Sequence, residues 1–145
     1  KIYDHLLFNG KEIAVGVIII LGMVFSLFHI ISAQQTAADW AGASVKTNNF
    51  FVSFDSYYDN YWAKGDVQFH FVDVPIRYGQ SWVFPVGLND AVWFAVKNND
   101  AKIFQDKDVD TALNEVGGSI LNRVFVFNDD GSLKEISNRL FPVKN

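Results

Sequence analysis

Residues 13–31 read IAVGVIIILGMVFSLFHII, an unbroken apolar run whose only ionisable side chain is His29. At a rise of about 1.5 Å per residue, a helix of roughly nineteen residues covers a hydrocarbon core about 30 Å thick. The run therefore predicts a transmembrane helix. A helix apolar on every face would otherwise have to lie at the centre of a large soluble protein, whereas a single domain's length of chain follows it here. A cleavable signal peptide fits less well. Its apolar stretch is shorter and ends at small residues, and Ser32-Ala33-Gln34 is a weak cleavage match.

The flanks of the run define the expected organisation. Residues 1–12 read as an interfacial leader, with Ile2, Leu6, Leu7 and Phe8 dipping into the membrane surface, Tyr3 and His5 at headgroup level, and Gly10 as a hinge. The transmembrane helix takes residues 13–33. Residues 34–49 continue it as a helical extension or linker, because Ala and Gln favour helix and no proline intervenes. A break is expected at Lys46–Asn49, where Thr-Asn-Asn is a poor helical run. Residues 50–145 form the extramembrane domain. Lys1 and Lys11 precede the run and the next basic residue is Lys46, so the bias of basic residues points to a cytoplasmic N-terminus and an extracytoplasmic C-terminal domain.

Charge and composition narrow the function. The chain holds 12 Lys and Arg against 16 Asp and Glu. Two of each lie before Gln35, so the net negative charge belongs to the C-terminal part. An acidic domain is a poor partner for nucleic acid and for broad adsorption to an anionic lipid surface. There is no cysteine, which removes disulfides, thiolate metal sites and cysteine nucleophiles. Fourteen Phe, five Tyr and four Trp supply the packing material instead.

Periodicity in the C-terminal part predicts an α+β fold. Phe50, Phe54, Tyr57, Tyr58 and Tyr61 recur at helical spacing and suggest a second, amphipathic helix with a core-facing stripe, closed by Lys64-Gly65-Asp66. Val67, Phe69 and Phe71 alternate with Gln68 and His70, as in a strand. Trp82–Val86 and Ala91–Val96 are further candidate strands around the turn Gly87-Leu-Asn-Asp, and a helix is expected to start at Asp108 and weaken at Gly117-Gly118. Arg123–Phe127, the turn Asn128-Asp-Asp-Gly131 and Leu133–Ile136 read as a C-terminal β-hairpin.

Few residues suggest chemistry. At 100° per residue, Gly22, Ser26, His29 and Ala33 fall within about 60° of one another, and Trp40 joins them if the helix continues. Small residues four apart let helix backbones approach closely, and a hydroxyl or imidazole can bond across helices for about 1 kcal/mol. This stripe is the expected helix-packing interface. His29 lies a turn from the end of the run, and a b-type haem would need a second axial ligand that the run lacks. Asp106-Lys-Asp-Val-Asp110 resembles the opening of a calcium loop, but Thr111 and Gly117 stand where the loop needs glycine and glutamate; Asp108 or Asp110 capping a helix accounts for the same residues. His5, His29 and His70 are spread before, within and beyond the apolar run. No nucleophile elbow, phosphate loop or zinc spacing occurs. No catalytic, metal or cofactor-binding residue is assigned, and an enzyme is not expected.

The leading expectation is thus a single-pass structural or accessory subunit of a larger membrane assembly, whose partners are lipid and other membrane subunits or copies of itself. The layout also resembles that of type IV pilins, with an apolar N-terminal helix running into an amphipathic half and a β-rich head; this resemblance implies a subunit of a helical filament. It departs from that pattern in the residues that precede the run and in the placement of Glu12. A third expectation is a membrane-tethered binding module using Trp82 and Trp93, although core packing is the commoner fate of tryptophan.

Overall fold

The computed structural model describes the backbone of residues 2–137 and side chains from Gly10 to Ser137. The expectations for the side chains of Tyr3 and His5 lie outside the described residues. The chain divides into two units, Lys1–Ala38 and Asp39–Asn145.

The first unit is helical from Ile2 onward as part of α1 (Ile2–Ser56). Gly10 is not a hinge: helix runs through it, since one glycine costs a helix only about 1 kcal/mol relative to alanine. From Gly10 to Ala38 no residue is buried. The α1 helix carries the one stretch among the described residues that is long and apolar enough, by length and composition, to cross a membrane.

The second unit begins within α1 and is α+β. After α1 come a 3-10 turn (Asn60–Ala63), β1 (Gln68–Val72), β2 (Arg77–Tyr78), β3 (Ser81–Trp82), α2 (Leu88–Val96), β4 (Lys102–Asp106), α3 (Val109–Glu115), β5 (Arg123–Phe127) and β6 (Leu133–Glu135). Four strands form a sheet in the order β4-β1-β5-β6, and β2 pairs with β3 in a separate small hairpin. Strand β1 is parallel to both β4 and β5, while β6 returns antiparallel to β5. The chain steps from β1 to one side through α2, then from β4 back across β1 through α3. Two crossovers in opposite directions keep the same hand only if their helices lie on opposite faces of the sheet. That is the arrangement seen: α2 shares a core with the end of α1, and α3 packs on the other face.

The larger core is aromatic. Phe50 and Phe54 of α1 meet Phe71 and Phe125 of the central strands, with Phe50 stacked on Phe54 at 5.4 Å and Phe71 on Phe125 at 5.6 Å. Trp62 closes one end, edge-on to Phe69 at 4.9 Å. Offset and edge contacts of this kind add about 0.5–1.5 kcal/mol each to simple burial. The smaller core joins Val72, Val124 and Ile136 to Ala112 of α3 and to Val116, its C-cap. The helix at Asp108 and the hairpin at Asn128–Gly131 form as the local sequence predicts: Asp108 accepts from the Thr111 N–H at 2.8 Å, and Gly131 takes φ 86° in the turn.

Several expectations are corrected. There is no helix break at Lys46–Asn49 and no separate second helix, because α1 continues to Ser56. The polar residues that weaken helix in isolation are here bonded to loops: the Thr47 hydroxyl lies 2.5 Å from the Val83 carbonyl, the Asn49 amide donates to the Asp130 carbonyl at 2.9 Å, and the Lys46 ammonium donates to the Asp129 carbonyl. Ala91–Val96 is helix α2 and not a strand. Its buried residues Leu88, Ala91, Val92 and Val96 are spaced for a helical face, and a short apolar run does not distinguish the two by itself. In Trp82–Val86 only Trp82 remains in a strand, since Pro85 offers no N–H to a ladder. Lys102–Asp106, a mixed segment with no strand signal, forms β4 as an edge partner of β1.

Candidate functional site

Three features of the described residues bear on function: an apolar helix surface in the first unit, and an apolar groove and a buried polar pair in the second. In the first unit, α1 carries Gly22, Ser26, His29 and Ala33, all solvent-exposed, on the single face that their spacing requires. The Ser26 hydroxyl donates back to the Gly22 carbonyl at 2.8 Å, leaving its oxygen lone pairs as acceptors. The His29 ring stands edge-on to Phe25 at 4.2 Å between centroids. A Cβ added at Gly22 would meet nothing within 4 Å. The missing side chain leaves a shallow depression flanked by Leu21, Phe25 and Phe28, the shape into which a ridge of another helix fits. Trp40 follows on the same continuous helix and is half exposed.

In the second unit, the end of α1, the Val83–Gly87 loop and α2 enclose an apolar groove of about 500 Å³. Phe51, Val86 and Phe94 form much of its wall, and Thr47 and Asp90 are its polar members. Phe94 is 62 % exposed and Val86 74 %, so these side chains are available to another molecule. Trp93 and Trp82 are also half exposed and do not enter the core as expected; the Trp93 indole N–H donates to Asn99 at 2.6 Å, and Arg77 lies over Trp82 at 4.1 Å. A groove with this lining can hold aliphatic or aromatic groups and offers few bonds to orient a polar ligand.

The same unit holds the hairpin β2–β3 against α1. Asp39 is buried, and its carboxylate accepts the Gln80 backbone N–H at 2.9 Å. A side chain at Gly42 would collide with the Tyr78 ring, and one at Gly79 with the Asp39 carboxylate. These two glycines let the hairpin lie directly on the helix.

The buried pair is His70 and Asp106. Phe69 and Phe71 point toward α1, so the alternate residue His70 points into the α3 side of the sheet, where its Nδ1 lies 2.9 Å from Asp106 Oδ2. The side chains are 1 % and 5 % exposed. His70 Nε2 is buried with no partner among the described residues, and Phe104 stacks on the ring at 4.6 Å. The pair ties β1 to β4. It has no exposure through which a substrate would reach it. Asp106 is thereby engaged with His70 and Asp108 with the cap of α3, so the acids of residues 106–110 do not converge on one point. Among the described residues, no group of three or more His, Asp or Glu is placed to hold a metal ion.

Sequence reasoning missed the groove, the hairpin seat and the His70–Asp106 pair. All three join segments distant in the chain; the only local signal was a histidine in the middle of an alternating strand. The chain matches no protein-family model, no curated protein and no solved structure.

Proposed function

We propose that this protein is a single-pass membrane subunit of a larger assembly. The helix of residues 13–33 crosses the bilayer and packs through Gly22, Ser26, His29, Ala33 and Trp40 against other membrane helices or copies of itself. The acidic α+β unit contacts partners on the extracytoplasmic side. One observation carries this reading: among the described residues the apolar stretch of α1 is unburied, and nothing occupies the space beside Gly22. A glycine in a helix interior is unfavourable unless something approaches it closely, and in lipid close approach of backbones is what small residues provide.

The test is native mass spectrometry of the full chain extracted in mild detergent from its own membrane. A discrete complex that loses mass or occupancy when Gly22→Ile is introduced supports the proposal. A monomer at native abundance, unchanged by that substitution, refutes it. Topology is read separately by introducing Asp110→Cys into this cysteine-free chain and labelling intact cells with an impermeant maleimide; labelling is expected.

The filament reading is favoured by a different observation, the continuity of α1 over 55 residues, which strengthens the likeness of layout to type IV pilins. Electron micrographs of purified material separate the two, since fibres with a regular helical rise favour a filament subunit and discrete particles favour a membrane complex. The groove supports a tethered binding module as a third reading.

A further inference from the structure

We infer that the tip of the β2–β3 hairpin is a second membrane contact, seated on the lipid headgroups beside the point where α1 leaves the bilayer. This inference rests on the membrane-spanning reading of α1.

Position comes first. The hairpin is fixed to α1 at Asp39 and Gly42, through the Gln80 N–H bond of 2.9 Å and the contact of the Tyr78 ring with the glycine. Asp39 lies six residues past Ala33, about 9 Å of helix. The headgroup layer itself extends roughly 5–7 Å beyond the hydrocarbon on each side. The remaining distance along the chain is within the length of one side chain.

The chemistry of the hairpin suits that layer. Tyr78 is 44 % exposed and Trp82 46 %, and Ile76 is exposed beside them. Tyrosine and tryptophan concentrate at membrane–water boundaries because each joins an apolar ring to a polar edge. Arg77 stacks on Trp82 at 4.1 Å, which holds a guanidinium, a donor fork suited to phosphate, among these rings. From Val74 to Asn89 the chain contains Arg77 and no Asp or Glu. The domain as a whole is acidic and is repelled by an anionic surface, and the stretch 74–89, with Arg77 and no Asp or Glu, lowers that repulsion at the hairpin.

The absence of cysteine permits a direct test. In separate full-length variants, Gln80→Cys, Asp110→Cys and Ile20→Cys each receive one nitrobenzoxadiazole label, and each protein is reconstituted into phosphatidylcholine vesicles containing a minority of phosphatidylglycerol. All three side chains are exposed, and the bond at Gln80 uses its backbone. Headgroup-bound nitroxide lipid is expected to quench the Gln80 label at least twofold more than the Asp110 label. Arg77→Glu is expected to remove most of that difference. Acyl-chain nitroxide should quench the Ile20 label. Equal quenching at Gln80 and Asp110 while Ile20 remains quenched overturns the hairpin contact and leaves the membrane span standing. A Gln80 label protected from aqueous nickel but not quenched by lipid also overturns it, because protein then covers the hairpin. Loss of acyl-chain quenching at Ile20 refutes the span itself.

Discussion

A Cβ built on Gly131 would stand 2.6 Å from the carbonyl oxygen of Lys46. The turn between β5 and β6 thus lies directly on the backbone of α1, at the place where the helix would otherwise be weakest. Gly131→Ala should destabilise the folded unit by about 1–3 kcal/mol, through the positive φ of 86° and the collision together. Thermal unfolding of the full chain in detergent, followed by near-ultraviolet circular dichroism of the aromatic core, measures this. Gly22→Ala, with open space around the glycine, should leave the same transition unmoved.

The bond between Asp39 and Gln80 is expected to matter more than its single distance suggests, because Asp39 is buried. Asp39→Ala leaves the Gln80 N–H without its acceptor, a loss of about 1–3 kcal/mol. Hydrogen exchange should localise the effect: the Gln80 amide loses protection, while Phe71 and Phe125 in the central strands keep theirs.

For His70 and Asp106 the expected signature is non-additivity. Either His70→Leu or Asp106→Leu strands one buried polar partner and should cost about 2–4 kcal/mol. The double substitution removes both and should cost clearly less than the sum. A double-mutant cycle by urea unfolding gives the coupling, and simple additivity would show that the 2.9 Å contact carries no interaction energy.

Acid should loosen the cap of α3 and the β5–β6 turn before the core. The Thr111 backbone N–H, and then its hydroxyl, hold the Asp108 carboxyl below its ordinary value of 3.8; the Ser132 hydroxyl and backbone do the same for Asp130. Groups whose folded pKa is depressed stabilise the fold fully above their unfolded value and lose that contribution as pH falls through the folded one. The stability should therefore be flat at neutral pH and decline below about pH 4. Amide exchange at Ala112 and Ser132 between pH 5 and the acid limit checks the sign; protection that rises on acidification would contradict it.

Phe94→Asp places a charge on the wall of the apolar groove at an exposed position. Surface changes of this kind usually alter stability by less than about 0.5 kcal/mol. Any partner seated in the groove should dissociate while the unfolding midpoint stays in place, as seen by native mass spectrometry and calorimetry of the same preparation.

The sequence alone determined those features whose cause is local. The apolar stretch from Ile13 to Ile31 needs no neighbour to be recognised, because length and the absence of charge are properties of the segment. Asp108 caps its own helix within three residues, and Asn128–Gly131 turns between two alternating strands that pair with each other. The tertiary structure decided the rest. Thr47 and Asn49 read as helix-weakening until Val83 and Asp130 arrive to bond them. Lys102–Asp106 has no strand character until β1 offers its edge, and Ala91–Val96 is helix because its buried residues face a sheet built elsewhere. His70 finds Asp106 only after β4 is laid beside β1. In each case the deciding free energy lies in contacts between segments far apart in the chain, which local propensities of a few tenths of a kcal/mol per residue do not outweigh.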